Sequence, residues 1–234
     1  MLAQWLSKVG GLLVLILIGL FAIGGVFGTI GTGNVGIRTT LGVISPEEIT
    51  PGIYMKWPFI SRVQEFTAKE IAIDMQDLTP KARDNLSLRD MDISIYYHVA
   101  SGGITELQAK YANQSVRDEE SGVWLPAHGL VSRLVRNAAY EEVSKVDSLI
   151  MHTKRDEISS AIHKNVQAQL EANDPKVFTV SRVVIRSVVT DPSIEESIRA
   201  AVANQKKLEA MTIQTEIAKR EAQIKITEAE GIAK

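Results

Sequence analysis

The stretch VFTVSRVVIRSVVTDPSIEESIRAAVANQKKLEA, Val177–Ala210, changes its period halfway along. Up to Val189 it is dominated by β-branched residues, which suit a pleated, half-buried surface. Thr190-Asp191-Pro192 then forms a corner. An aspartate there suits the N-cap, where its carboxylate accepts from orphan helix amides. A proline suits the first helical position, where a missing N–H costs nothing. No glycine or further proline follows until Gly231. The stretch therefore predicts a strand that turns through a capped corner into one long helix, over residues 191–234.

That helix has an unusual surface. At 100° per residue, one apolar stripe gathers Ala200, Ala201, Leu208, Met211, Ala218, Ala222, Ile226, Ala229 and Ala233. A second stripe on the opposite side gathers Val202, Ile213, Ile217 and Ile224. Charged residues fill the space between, with Glu216–Arg220, Glu221–Lys225 and Glu230–Lys234 spaced as favourable i,i+4 pairs. A helix with one stripe docks on one partner, whereas a helix with two stripes is flanked on both sides. Val202, Ile213 and Ile224 recur every eleven residues, as do Ala200, Met211, Ala222 and Ala233. This repeat keeps a helix nearly straight and opposes a left-handed supercoil. The pattern fits a stave in a wall of parallel neighbours; a two-stranded coiled coil is the alternative.

Upstream of the corner, VGIRTT, SRVQEFT and EIAIDM read as short strands bounded by turn residues, notably Ser45-Pro46 and Pro51-Gly52. In MDISIYYHV, Met91, Ile93, Ile95, Tyr97 and Val99 alternate with polar or wetter neighbours, the mark of a strand with one face on a core. Leu86 and Leu88 have the opposite parity, which predicts a bulge or bend near Arg89-Asp90. Helical spacing follows Ser101. Leu130, Val131, Leu134, Val135 and Ala138 mark one helix; Leu149, Ile150, Ile158, Ile162, Val166 and Leu170 mark a longer one, stopped by Asn173-Asp174-Pro175. The expected fold is α+β, with a β-rich unit at 34–100, an α/β unit at 101–190 and the long, coiled-coil-like helix.

The amino end is apolar. Between Lys8 and Arg38 there is no charge, and Val9–Ile30 would form a helix of about 33 Å, enough for a hydrocarbon layer of roughly 30 Å. The run is too long for a cleaved leader, whose apolar region is about 7–15 residues. Val9, Leu12, Leu15, Leu17, Phe21, Val26 and Ile30 are the expected lipid-facing residues of a single-pass anchor, with residues 1–8 as its tail. Gly24 and Gly28 have the spacing that lets membrane helices approach closely. Flanking charge is nearly balanced, so the short tail favours an inside amino terminus with the bulk exported. Next along the chain, GIYMKWPFI (Gly52–Ile60) is either a buried strand with a turn at Pro58 or a segment meeting the headgroup layer through Tyr54, Trp57 and Phe59.

Composition excludes several chemistries. The 234-residue chain has 45% apolar residues, no cysteine and a net charge of −2. Disulfides and thiolate sites are ruled out, and scattered basic residues give no nucleic-acid footprint. Gly31–Gly36 fits G-x-G-x-x-G, but the strand expected after it is the wrong element for a dinucleotide site. His98, His128, His152 and His163 share no metal-ligand spacing. Asp118-Glu119-Glu120 reads as a solvated turn. The two glycosylation triplets, Asn85-Leu86-Ser87 and Asn113-Gln114-Ser115, carry no weight. No enzyme, cofactor or metal is expected.

The anchor, GIYMKWPF, DISIYYHV and SRVVIRSVVTDPSIEESIRAAVANQKKLEA, ending in TEAEGIAK, together resemble the SPFH or band-seven family of prohibitin, stomatin and HflK–HflC. The resemblance covers residues 34–234, and the single span looks more like prohibitin or HflK–HflC than stomatin. It implies a non-catalytic membrane scaffold whose long helices line up in large rings or domes. These enclose a membrane patch, a microdomain, and surround AAA proteases of the FtsH type. The implied partners are further copies or a paralogue, the lipid bilayer and such a protease; the implied site is a bacterial inner membrane with the bulk in the periplasm, or a mitochondrial inner membrane. Members usually continue with more helix beyond the point matching Lys234. The alternative is a membrane-tethered dimeric adaptor presenting its α/β units to one partner.

Overall fold

Alternating apolar residues require partners, and strand pairing supplies them. A computed structural model describes residues 25–232, with side chains described through Lys225. It begins with strands β1 (Phe27–Ile30), β2 (Asn34–Thr40), β3 (Val43–Ile49), β4 (Gly52–Met55), β5 (Ser61–Thr67), β6 (Ile71–Met75) and β7 (Asp90–Val99). Helix α1 (Ile104–Tyr111), strands β8 (Val116–Arg117) and β9 (Trp124–Leu125), and helices α2 (His128–Val143) and α3 (Arg155–Asn173) follow. Strand β10 (Phe178–Val189) then leads into helix α4 (Pro192–Ile232). The α+β class and the long last helix are as the sequence pattern requires.

Three sheets form, in the orders β1-β4, β3-β2-β5-β9-β8 and β10-β7-β6. Hydrogen bonding crosses the pattern change at residue 100 in both directions. Strand β7 pairs with β10 from the far side, and β5 receives β9. One core runs through the whole, from Val35 and Phe66 through Ile93, Ile95 and Tyr97 to Val135, Ile162 and Val183. Tyr97 is fully buried, and its hydroxyl donates to the Pro126 carbonyl at 3.0 Å, which satisfies the one polar atom of that ring.

Strand β10 carries two register shifts against β7, between Val180 and Arg182 and between Ile185 and Ser187. The first explains a parity change in the sequence. Phe178 and Val180 are buried, and after the extra residue the buried positions become Val183 and Ile185. The chain does bend at Arg89, as expected, and the irregularities against β7 lie on β10. Leu86 needs no bulge, because it is exposed in the loop before β7, while Leu88 reaches the core from that loop.

The outer edge of β10 is sealed by one face of α3. Arg155 donates to the carbonyls of Ile185 and Arg186, both at 2.7 Å, and Ser159 donates to the Val183 carbonyl. His163 Nε2–H donates to the Val180 carbonyl at 2.9 Å. Gln167 donates to the Phe178 carbonyl at 3.2 Å and accepts from the Val180 amide at 2.8 Å. These four residues recur every four positions and so line up on the helix. The neighbouring face, with Ile158, Ile162, Val166 and Leu170, enters the core.

Three further expectations change. The apolar run does not continue as helix to Ile30: Phe27–Ile30 are strand β1, paired with β4 from Phe27↔Met55 to Ile30↔Gly52. Glycines at 24, 25 and 28 disfavour helix, and Thr29 and Ile30 are β-branched. Leu149 and Ile150 are not on the long helix. They sit, half exposed, in a 3₁₀ turn (Ser148–Thr153) that buries Met151 instead. The Asp84 carboxylate fixes that turn by accepting from the Ser148 hydroxyl at 2.6 Å and its amide at 3.2 Å. Finally, Ser45-Pro46 lies inside β3 beside a register shift with β2, an edge position where proline's missing donor is tolerated.

The corner forms as the sequence suggests. The Asp191 carboxylate accepts from the Ser193 amide at 3.0 Å and the Ser193 hydroxyl at 2.6 Å. Those bonds hold its pKa below the usual carboxylate value. A depressed folded pKa means the cap is fully present above the ordinary value and is lost as pH falls through the folded one. The Ser193 amide resonance is expected to move toward its uncapped position as pH drops below 3.8, and Asp191→Asn removes that step. Gln167→Ala is expected to lower stability by about 1–3 kcal/mol, because it leaves two edge groups of β10 unpaired. The denaturant midpoint should fall with an unchanged slope.

Candidate membrane and assembly surfaces

Two features have no structural partner among the described residues: an apolar end and the long helix beyond its start. The first is built on the β1–β4 ribbon. Directly paired residues share a face, so Phe27, Met55, Thr29 and Ile53 point one way and Tyr54 and Ile30 the other. Phe27, Ile53 and Met55 are all more than half exposed. Ile30 is buried, and the Tyr54 ring lies over Gly28, where an added methyl group would come within 2.4 Å of it. Gly28 therefore serves the Tyr54 contact within a strand, not a helix–helix approach.

Beyond β4, Trp57 is 71% and Phe59 89% exposed, so the segment is not a buried strand. The β2–β3 hairpin tip adds Leu41 and Val43, 78% and 71% exposed. The Leu41 amide donates to the Ile60 carbonyl at 3.1 Å, which brings tip and loop together. Leu41 and Phe59 both hold left-handed backbone, with φ of 50° and 70°. Bulky side chains there cost of order 1–3 kcal/mol, which glycine or asparagine would largely avoid. Neither burial nor local geometry rewards the choice of leucine and phenylalanine.

Of the sequence-selected contact residues, Trp57 and Phe59 lie on this surface, while Tyr54 turns inward and is half buried. Phe27, Leu41, Val43, Ile53 and Met55 were missed. Ile53 and Met55 were legible in principle, since they alternate with Tyr54 along a strand. Among the anchor residues, Val26 borders the ribbon, and Val9, Leu12, Leu15, Leu17 and Phe21 lie outside the described residues. Among the described residues, no helix is long and apolar enough to cross a membrane.

The second surface is α4. It touches the body only near its start, where Ile194 is buried. From Arg199 to Lys225 every residue is exposed. Val202, Leu208, Met211, Ile213, Ile217 and Ile224 are between 46% and 66% exposed, and Ala218 and Ala222 are exposed with them. Glu216 and Arg220 form their ion pair at 2.8 Å. At this exposure such pairs are worth only about 0.3–0.5 kcal/mol each. Threonines 212 and 215 turn their hydroxyls back onto the carbonyls of Leu208 and Met211, which hides their polarity inside the helix.

The chemical motifs are dispersed. Gly31–Gly33 make the turn between β1 and β2, with the Asn34 amide donating to the Gly31 carbonyl, and Asn34–Gly36 already belong to strand β2. Asp118–Gly122 is a hairpin loop closed by Asp118 and Ser121. His98 is on β7, His152 in the 3₁₀ turn and His163 on the β10 edge. His128 starts α2, where burial lowers its pKa. Among the described residues, no cluster of acidic or histidine side chains is placed to hold a metal ion.

Comparison with known proteins agrees with this architecture. No curated protein matches the chain. The family model described as SPFH domain / Band 7 family matches residues 29–224, from β1 to the exposed part of α4. The chain belongs to the SPFH domain / Band 7 family.

Proposed function

We propose that this chain is a membrane-anchored scaffold whose α4 helices stand side by side and join many copies into a ring or cage. Members of the family are generally non-enzymatic scaffolds that oligomerise and associate with membranes. The observation that carries the finer reading is α4 itself: 41 residues, unpartnered beyond its first two turns, with apolar stripes on two opposite sides. Burial of one exposed isoleucine or leucine contributes about 1.5–3 kcal/mol, so a helix flanked on both sides gains what a free one forgoes.

The apolar end supports the membrane half of the proposal. Leu41, Phe59 and Trp57 share the apolar surface beside the β1–β4 ribbon, and the Lys56 amide, next to Trp57, donates to the carbonyl of Val26 at the end of the uncharged run. Two strained backbones presenting apolar side chains fit insertion into the headgroup layer, where an aromatic ring and the nearby Lys56 are both well placed. In this reading the uncharged run before β1 anchors the chain, the amino terminus is inside and the body lies across a bacterial inner membrane, or its mitochondrial counterpart. The ring encloses a membrane microdomain and regulates an AAA protease of the FtsH type within it.

Native mass measurement on the full chain in mild detergent is expected to give a uniform multi-copy particle. A monomer overturns the wall of helices, and a dimer favours the tethered adaptor. Ile213→Asp with Ile224→Asp is expected to dissolve the particle while the body keeps its thermal transition; an intact particle would sink the role of the minor stripe. Leu41→Asn with Phe59→Asn is expected to leave body stability equal or higher, since asparagine tolerates left-handed backbone. The same pair should reduce quenching of Trp57 by brominated lipids, in a chain where Trp57 is the sole tryptophan. Undiminished quenching would show that Leu41 and Phe59 do not hold the loop at the bilayer.

A further inference from the structure

We propose that a cleft at the apolar end binds the phosphate of an anionic phospholipid headgroup, held by Arg38 and Lys56. This rests on the membrane-facing reading of that end and adds a specific ligand to it. The cleft has a volume of about 700 Å³ and is bordered by Val26, Arg38, Tyr54, Met55, Lys56 and Trp57. Its floor holds an unresolved charge. Arg38 Nη2 donates to the Met55 carbonyl at 2.7 Å, while its Nε is shielded from solvent and has no acceptor. A shielded guanidinium N–H without a partner is costly, and a phosphate oxygen is the acceptor whose geometry best matches the fork.

The surroundings select the class of ligand. Lys56 supplies a second cation on the rim, and burial together with the charge of Glu65 keeps the Tyr54 hydroxyl protonated, hence a donor. Glu65 is the nearby carboxylate, and it is occupied: its Oε1 accepts from the Gly31 amide at 2.8 Å and from Asn34 Nδ2 at 2.7 Å. Val26, Met55 and Trp57 make the remaining wall apolar. A cationic floor under an apolar wall fits a phosphate that arrives attached to glycerol and acyl chains. Lys56 also borders the shallow groove of Leu41 and Phe59, so the cleft opens onto the surface proposed to enter the headgroup layer.

The test uses the full chain in detergent micelles, with Trp5→Phe and Trp124→Phe leaving Trp57 as the reporter. Dihexanoyl phosphatidylglycerol is expected to shift Trp57 emission, and Arg38→Gln is expected to weaken that response about tenfold, the loss of one charge-assisted contact. Lys56→Gln, outside the strands, should weaken it in the same direction and stays readable should Arg38→Gln unfold the body. Dihexanoylglycerol, which lacks phosphate, should give no shift; a shift equal to that of the phospholipid overturns the proposal. Inorganic phosphate binding as tightly as the phospholipid overturns the lipid as its source. If Trp57 responds to phosphatidylglycerol but both variants titrate like the parent, the phosphate site falls and the membrane contact stands. If Trp57 remains water-exposed even in lipid nanodiscs, both fall.

Discussion

The antiparallel ladder between β7 and β10 is the constraint from which the rest follows. It joins Asp90–Val99 to Phe178–Val189, so everything between them is one closed loop whose closure entropy the ladder and its core offset. Helices α2 and α3 exist inside that loop and fill its core side with Val131, Val135, Ile162 and Val166. The ladder also fixes where β10 ends, and therefore where Asp191 begins the long helix. On the opposite face Arg182 stacks on the Tyr96 ring at 4.0 Å, which uses an arginine where the sheet meets solvent.

What was legible in the sequence were periods and corners. The alternation in Met91–Val99, the proline stop at Asn173-Asp174-Pro175 and the Asp191-Pro192 cap all depend on neighbours along the chain, and all three appear where expected. What was not legible depends on neighbours in space. The parity change between Val180 and Val183 states that a bulge is needed, but only the pairing with Tyr96 and Tyr97 places it. Likewise Arg155, Ser159, His163 and Gln167 look like an ordinary polar helix face. Their role as cover for a strand edge is invisible until β10 lies against them. The apolar run at the amino end concealed its own limit, because Phe27–Ile30 is as apolar as the residues before it and only β4 makes it a strand.

Open strand edges invite pairing with other copies, and this chain treats its edges unequally. The β10 edge is occupied by α3 side chains and broken by two bulges, which leaves little backbone for another strand. The β3 edge carries Pro46 and a register shift. Glu48, on the same strand, caps α1 from a distance by accepting from the Gly102 and Thr105 amides at 2.5 and 3.0 Å. Association through these two edges is thereby discouraged, while association through helix stripes is left open. That division suits a protein of a family whose members oligomerise.

The attachment of α4 also has a mechanical side. A helix of 41 residues is about 62 Å long. Its seat on the body is one buried isoleucine, one capped corner and a small hollow beside Ser148, His152 and Arg199. Over that length, one degree of tilt at Asp191 displaces the far end by about 1 Å, and five degrees carry it nearly a full helical turn of about 5.4 Å. The corner is thus the fulcrum of a lever, and in the proposed assembly its stiffness would set how well the tips of adjacent copies keep register. Angular error that is negligible within the body becomes decisive at its extremity.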